Sequence, residues 1–226
     1  MRIIELAECD STNEYLKRLD GEEDTVVTAL RQTAGKGTKG RSFSSADGGL
    51  YLSVMRFYES FPAANAFEIM INSCVAVCKT VEGFGITPVI RWANDVLVNG
   101  RKICGTLIEN TFAGANIRRS IVGMGINVNN ELPPELRQIA VSMREILGNR
   151  LSLQTVKKAL IANLQKSFTI NDYKKYIDWF GKEVVLRTDK ESYTATALDV
   201  TADGRLVVSR DGKIIEISSA EVSLRL

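Results

Sequence analysis

The chain has 226 residues, of which 45% are hydrophobic and 25% charged, so its composition is that of a soluble globular protein with one large domain or one domain and a small appendage. Its formal net charge of +2 excludes a polycation, so any anion site must be a local patch. The sequence contains no histidine, which excludes serine–histidine–aspartate catalysis, imidazole proton shuttles and histidine-ligated zinc.

The N-terminus and the cysteines bear on the cellular compartment of the protein. The first residues include an acid, Glu5, and lack the apolar stretch of a signal peptide. No apolar run approaches the roughly 18 residues of a membrane span. The cysteines Cys9, Cys74, Cys78 and Cys104 form no Cys-x-x-Cys pair, which is typical of reduced thiols in a cytosolic protein.

The first third of the chain alternates between strand and helix patterns. Short apolar or β-branched runs predict strands over residues 2–8, 25–32 and 48–57. Between the first two, Ser11 to Glu14 have the spacing of a capping box and predict the start of a short helix. Residues 63–82 contain neither glycine nor proline and predict a long, mostly buried helix.

The sequence pattern in the middle of the chain predicts three further strand-like segments followed by further helices. Strand-like patterns cover residues 89–98, 102–110 and 116–130, and Asn99-Gly100 between the first two is a strong hairpin signal. Residues 131–149 predict short helical pieces, and 153–180 are mainly helical.

The residue pattern changes at Gly181, from mainly helical to strand-like. Five short alternating strands follow, with turn signals at Asp203-Gly204 and Asp211-Gly212. These features predict an α+β fold, in which residues 1–180 form a larger unit of strands and helices and residues 181–226 form a small all-β barrel.

A glycine-rich loop, GKGTKG from Gly35 to Gly40, resembles two well-known phosphate motifs. It fits G-x-G-x-x-G, and extended to Ser42 it is one lysine short of a P-loop. Both motifs need a helix directly after the loop. The alternating pattern after Phe43 predicts a strand instead, so the sequence disfavours both.

The loop still has the chemistry of an anion site. Residues 31–43 contain Arg31, Lys36, Lys39 and Arg41 and no acid, and the glycines allow backbone N–H groups to turn toward an anion. The alternative is a flexible, basic, solvent-exposed loop, and the loop alone does not decide between them.

Five segments in a fixed order resemble the biotin protein ligases. They are DSTN at 10–13, the glycine loop, RWANDVLVNGRKICGTLIEN at 91–110, GMGINVN at 123–129 and EVSLR at 221–225. The resemblance spans essentially the whole chain and implies the class II synthetase-like biotin/lipoate ligase fold. In that fold residues 1–180 form a mixed sheet with helices on one face, and residues 181–226 form a small SH3-like β-barrel. Because the chain begins at the catalytic segment, the resemblance indicates a monofunctional form without the DNA-binding domain.

The resemblance implies a two-step reaction. Biotin and MgATP give biotinyl-5′-adenylate and pyrophosphate, and a lysine of a biotin carboxyl carrier protein then takes the biotin as an amide. This suits a chain without histidine, because the first step needs charge neutralisation and alignment more than a protein nucleophile. No DNA or membrane partner is expected, and the oligomeric state, a homodimer included, is left open.

The resemblance also implies two sets of binding residues. The biotin-binding set is Ser11, Thr12, Asn13, Gln32, Gly35, Lys36, Gly37, Thr38, Lys102 and Gly105. The ATP-binding set is Lys36, Thr38, Gly40, Arg41, Phe43, Asn94, Asn127 and Arg225. The sequence departs from the family where Lys36 and Thr38 replace arginines and Phe43 replaces tryptophan, which puts tight retention of the adenylate in doubt.

Three residues are implied to be catalytic. Lys102 would bridge the biotin carboxylate and the α-phosphate, although a lysine beside Asn99-Gly100 could also be an exposed hairpin residue. Arg91 replaces a family lysine and could face phosphate. Asp95 could hold Mg²⁺ or accept a proton from the incoming lysine.

Two other functions stay open at this point. A lipoate protein ligase shares the fold and the adenylate chemistry, but it needs an apolar tunnel for the lipoyl group where the biotin ring needs polar contacts. A non-enzymatic nucleic-acid-binding or adaptor module would use the basic loop. The aromatic content of 7% and the near-neutral charge disfavour that module.

Overall fold

A computed structural model describes residues 1–188, 191–218 and 221–224. A mixed seven-stranded sheet dominates it, with strand order β1-β2-β3-β7-β6-β5-β4. Its strands are β1 (Arg2–Cys9), β2 (Thr25–Gln32), β3 (Leu50–Phe57), β4 (Val89–Arg91), β5 (Asp95–Val98), β6 (Arg101–Ala113) and β7 (Asn116–Ile126). Strands β1 and β2 are parallel, and the other neighbours are antiparallel.

The helices lie on both faces of this sheet, but unequally. They are α1 (Thr12–Lys17), α2 (Ala66–Glu82), α3 (Met143–Leu147), α4 (Leu153–Leu164) and α5 (Ile170–Lys174). The long α2 packs on one face with α4 and α5 beside it, and this side contains the main core.

Helix α1 covers part of the opposite face. Leu16 packs there against Val27, Met55 and Ile121 in a small separate cluster. Val26, one residue before Val27, belongs to the main core, as expected when successive strand residues point to opposite faces. The predicted α+β fold is confirmed, with the addition that α1 sits on the face away from the longer helices.

A second, antiparallel sheet follows, with order β11-β10-β9-β8-β12. Its strands are β8 (Glu183–Arg187), β9 (Ser192–Val200), β10 (Leu206–Arg210), β11 (Lys213–Ile217) and β12 (Glu221–Leu224). It touches the first unit at a turn, where Trp92 Nε1 donates to Gly204 O at 2.9 Å. The SH3-like character and the domain boundary at residue 180 stay predictions.

Two local expectations were wrong and one is confirmed. The single strand expected over residues 89–98 is two strands, because Asn94 turns the chain and exchanges hydrogen bonds with the backbone of Thr106. Helix α1 begins after Ser11, but the Ser11 side chain makes no capping hydrogen bond. Asn99 and Gly100 both have positive φ (50° and 75°) and join β5 to β6 as predicted.

Within the described residues, none of the helices combines the length and apolar character that crossing a lipid bilayer requires. The four cysteines are free thiols, as expected for reduced cysteines.

Candidate active site

The floor of the site is a patch of sheet without side chains. Gly105, Gly123 and Gly125, which we call the glycine platform, lie together on the face away from α2. A Cβ at Gly105 would stand 2.7 Å from Lys102 Nζ, and one at Gly125 would stand 2.5 Å from the Phe43 ring. The platform therefore leaves room for other side chains to lie directly on the sheet.

A small polar cavity, the inner pocket, opens above this platform. Most of the predicted biotin-binding residues line it: Ser11, Thr12, Asn13, Gln32, Lys36, Gly37, Thr38, Lys102 and Gly105. Its volume is about 40 Å³, which is room for roughly three water molecules. The Phe43 ring occupies the space over Gly105 and Gly125, so a larger guest requires Phe43 to move.

The polar wall of the inner pocket is held by a chain of hydrogen bonds. Gln32 Oε1 accepts from the backbone N–H and the hydroxyl of Thr12, at 2.8 and 3.1 Å. Gln32 Nε2 donates to Ser45 Oγ at 2.8 Å, and Ser45 donates to Phe43 O at 3.0 Å. Gly35 does not line the pocket, but a Cβ there would stand 2.5 Å from both Phe43 O and Ser45 Oγ. Gly35 therefore permits this chain of bonds.

Sequence reasoning missed two residues that fix this wall. The buried Ser53 hydroxyl lies 2.7 Å from Thr12 Oγ1 and 2.6 Å from Asn13 Oδ1. Asn13 Nδ2 donates to Glu109 Oε2 at 2.8 Å. A serine in the middle of the apolar strand LYLSVMRF was an available signal for Ser53. For Glu109 the signal was its place in the segment 91–110 that resembles the biotin protein ligases.

The glycine loop forms a tight hairpin over residues 35–43, which we call the lid. Gly37 N donates to Arg41 O at 2.7 Å, and Phe43 N donates to Gly35 O at 2.8 Å. At its tip Lys39 and Gly40 have φ of 55° and 72°. Strand β3 and not a helix follows, so neither well-known phosphate motif is present. Lys36 Nζ contacts Glu14 Oε1 of α1 at 2.6 Å.

The three predicted catalytic residues lie together. Lys102 Nζ is 2.6 Å from Asp95 Oδ1, and Arg91 Nη2 is 2.6 Å from Asp95 Oδ2. The backbone of Lys102 is fixed by hydrogen bonds with Ile139 O (2.8 Å) and the N–H of Val141 (3.0 Å). The alternative of an exposed hairpin lysine is therefore wrong, because Lys102 is half-buried and faces this cluster.

A larger cavity, the outer cleft, continues from the inner pocket. Its volume is about 590 Å³, and its walls include the lid, Arg91 to Asp95, the apolar side chains Phe67 and Met70, and the Asp203-Gly204 turn of the second sheet. The two spaces meet where the lid faces Asn94 and Lys102, since the residues that line both cavities are Gly37, Thr38, Phe43, Asn94 and Lys102.

The remaining predicted ATP-binding residues are divided. Thr38, Arg41, Phe43 and Asn94 line the outer cleft, while Gly40 forms the lid tip. Asn127 lines neither cavity: its Nδ2 reaches Lys102 O at 3.4 Å, and its Oδ1 accepts from Asn130 at 3.0 Å. Arg225 lies outside the described residues.

Two titratable side chains near the site, Cys104 and Tyr51, are un-ionised at neutral pH. Burial raises the pKa of the Cys104 thiol and of the Tyr51 hydroxyl, so neither ionises near neutral pH. Among residues 1–188, 191–218 and 221–224, no group of three or more acidic, cysteine or histidine side chains could hold a metal ion. The carboxylates that line the outer cleft are those of Asp95, beside Lys102, and Asp203, at the turn of the second sheet.

Comparisons with known proteins agree with the sequence resemblance. Residues 6–127 match the model of the biotin/lipoate A/B protein ligase family, and residues 180–225 match that of the biotin protein ligase C-terminal domain. The structure is similar to the biotin protein ligase from Aquifex aeolicus in complex with biotin and ATP, with a TM-score of 0.79, 30% identity and coverage of 99% of this chain and 98% of that one.

Two curated relatives cover most of the chain. The bifunctional ligase/repressor BirA of Bacillus subtilis is 29% identical over 97% of this chain and 72% of its own length. The biotin–[acetyl-CoA-carboxylase] ligase of Mycobacterium tuberculosis is 26% identical over 96% of this chain and 86% of its own length.

Proposed function

Since the chain belongs to the biotin/lipoate A/B protein ligase family, we propose that it is an ATP-dependent biotin–protein ligase. In the proposed reaction it makes biotinyl-5′-adenylate and transfers the biotin to a lysine of a biotin carboxyl carrier protein. One observation carries the proposal: a polar inner pocket and a cationic outer cleft meet at Lys102.

The inner pocket supports biotin over lipoate. The ureido ring of biotin combines N–H donors with a carbonyl acceptor, and Thr12, Asn13 and Gln32 present donors and acceptors to the same small space. A dithiolane ring has neither an N–H nor a carbonyl group, so it would cover these polar atoms without forming a hydrogen bond to any of them. A site built from polar groups therefore discriminates strongly against an apolar ring.

The outer cleft supports the phosphate chemistry. In the first step a carboxylate oxygen of biotin attacks the α-phosphorus in line, a new P–O bond forms, and the bond to pyrophosphate breaks. Lys102 lies where the acid and the nucleotide would meet, so its ammonium group would offset the negative charge that both bring. Arg91, which is paired with the carboxylate of Asp95, would face the phosphates.

The carboxylate of Asp95 could serve as a protein ligand to a magnesium ion that is held mainly by the nucleotide. Mg²⁺ in nucleotide sites is commonly held by one or two carboxylates together with substrate phosphates, and of the two carboxylates that line the cleft, Asp95 and Asp203, Asp95 lies beside Lys102. Bound there, Mg²⁺ would neutralise charge on the phosphates.

In the second step the amine of the carrier lysine attacks the acyl carbon, and AMP leaves. The amine reaches the site through the outer cleft, which is the wider of the two cavities. As the alternative to holding Mg²⁺, Asp95 would accept the proton that the amine loses as the amide forms. The carrier, a cytoplasmic location and any homodimer belong to this proposal.

Mass spectrometry of the acyl-adenylate tests the proposal. The protein is incubated with MgATP and either biotin or lipoate, and the products are analysed before any carrier is added. We expect the mass of biotinyl-5′-AMP and no comparable lipoyl product. Absence of both adenylates would rule out an acyl-adenylate ligase of either kind, and a preference for lipoate would point to the related lipoate ligases.

A further inference from the structure

The carboxylate of Glu109 on β6 contacts the binding wall through a single amide. We propose that Glu109 is a positioning residue that fixes the Asn13 amide with its oxygen toward the inner pocket, so that the pocket selects an acid whose ring carries an N–H donor. This inference rests on the proposed function and names the residue that sets its substrate preference.

The chemistry of the two groups fixes the orientation of the amide. Asn13 Nδ2 lies 2.8 Å from Glu109 Oε2, and an ionised carboxylate can only accept a hydrogen bond. The NH₂ side of Asn13 must therefore face Glu109, which leaves Oδ1 beside Ser53 Oγ at 2.6 Å. A carbonyl oxygen has two lone pairs, so Oδ1 can accept a second hydrogen bond from a guest.

The surroundings hold both partners in place. Asn13 is 97% buried, so turning its amide would leave polar atoms unpaired. A Cβ at Gly123 would overlap Asn13 Oδ1, which shows that Oδ1 lies directly over the glycine platform. Glu109 Oε1 is in turn paired with Lys17 Nζ at 2.7 Å, so Lys17 supports the carboxylate without touching Asn13.

A glutamine at position 109 separates positioning from packing. It keeps the volume of Glu109 and can hydrogen-bond Asn13, but it can meet either the NH₂ or the oxygen of the amide. The Asn13 amide is then no longer restricted to the orientation in which its NH₂ group faces position 109. An alanine removes the partner altogether.

The test measures dissociation constants by titration calorimetry for wild type, Glu109→Gln, Glu109→Ala and Lys17→Met. The ligands are biotin and the two analogues methylated at one ureido nitrogen each. We expect wild type to prefer biotin over at least one analogue by about a hundredfold or more, because a site built for an N–H donor rejects a ligand without it.

The variants should then separate. Glu109→Gln should lower that preference about tenfold and Glu109→Ala should weaken biotin binding about tenfold, since an unfixed amide presents its oxygen only part of the time. The ATP KM and the rate of pyrophosphate release at saturating biotin should stay within about twofold. Lys17→Met, which removes charge but not the contact with Asn13, should retain the preference.

Two outcomes would overturn the inference: full discrimination by Glu109→Gln, or equal loss of discrimination by Lys17→Met. The first would reduce Glu109 to a packing residue, and the second would assign the effect to charge. If wild type binds no biotin at all, the proposed function itself falls. If wild type binds biotin and Glu109→Gln discriminates equally well, only the positioning role falls.

Discussion

The inner pocket and the outer cleft share Lys102 but are built on opposite principles. The polar wall of the pocket is built around buried, neutral groups, and the Ser53 hydroxyl lies within hydrogen-bond distance of both Thr12 and Asn13. The cleft contains partly exposed charges, of which Lys102 and Arg91 both rest on Asp95. In the proposed reaction, recognition of the acid would therefore depend on groups of fixed orientation, whereas binding of the phosphates would depend on charges that can exchange partners.

Removal of the shared group should have the largest effect. Lys102→Ala should lower adenylate formation by about a thousandfold, since it removes the charge at the junction of both cavities. The variant should stay folded, because its side chain is half-buried and outside the core. Pyrophosphate release measures the effect, and Lys158→Ala, an exposed lysine on α4, is the control. Near-normal activity of Lys102→Ala would remove Lys102 from the reaction.

Two alanine substitutions on the glycine platform should divide the two regions. A methyl group at Gly123 would displace the Asn13 amide, and one at Gly105 would stand 2.7 Å from Lys102 Nζ. Gly123→Ala should therefore raise the KM for biotin by about thirtyfold, and Gly105→Ala should chiefly lower kcat by a similar factor. Steady-state kinetics distinguish them. Identical effects on KM and kcat in both variants would contradict the division.

The contact between the cleft and the second sheet should have a moderate effect. Trp92→Phe loses the hydrogen bond to Gly204 O and should lower the free energy of unfolding by about 1 kcal/mol, with a rise in the ATP KM of about threefold. Trp179→Phe loses a comparable bond to Ile90 O at 2.8 Å, away from the cleft. It should lose similar stability in urea unfolding and keep its ATP KM. A raised ATP KM in both would assign the effect to stability alone.

The lid contact should give the smallest effect, visible through pH. Hydrogen bonds from Lys17 and Lys36 hold the pKa of the Glu14 carboxyl below its ordinary value of 4.5. The stabilisation is therefore complete above pH 4.5 and is lost as the pH falls through the lowered pKa. Hydrogen exchange of residues 35–43, corrected for intrinsic rates, should rise only in that acidic range. Glu14→Gln should remove this pH dependence, and an unchanged profile would show that Glu14 does not hold the lid.

The sequence predicted the parts of the fold that local chemistry decides. A two-residue hairpin turn favours positive φ at both central residues, and an Asn-Gly pair adopts it readily. The hairpin at Asn99-Gly100 is present as predicted. The break within residues 89–98 could not be predicted in this way. It depends on Asn94 bonding a strand 12 residues further along and on Trp92 reaching Gly204.

The same limit applies to the site. The glycine loop, Lys102 and the Ser11 to Asn13 segment carry recognisable motifs, and the structure brings them to one cavity. Glu109 acts through a contact between residues 96 apart, which exists only after α1 packs over the sheet. Asn127 shows the converse, since a recognisable motif places a residue that lines neither cavity.

A crystal structure with a non-hydrolysable sulfamoyl analogue of biotinyl-adenylate tests the central claim most directly. We expect the ureido ring to lie against Thr12, Asn13 and Gln32, and the sulfamoyl group to lie within hydrogen-bond distance of Lys102 Nζ. The Phe43 ring should be displaced from Gly105 and Gly125. A ureido ring in the outer cleft, or a sulfamoyl group remote from Lys102, would contradict it.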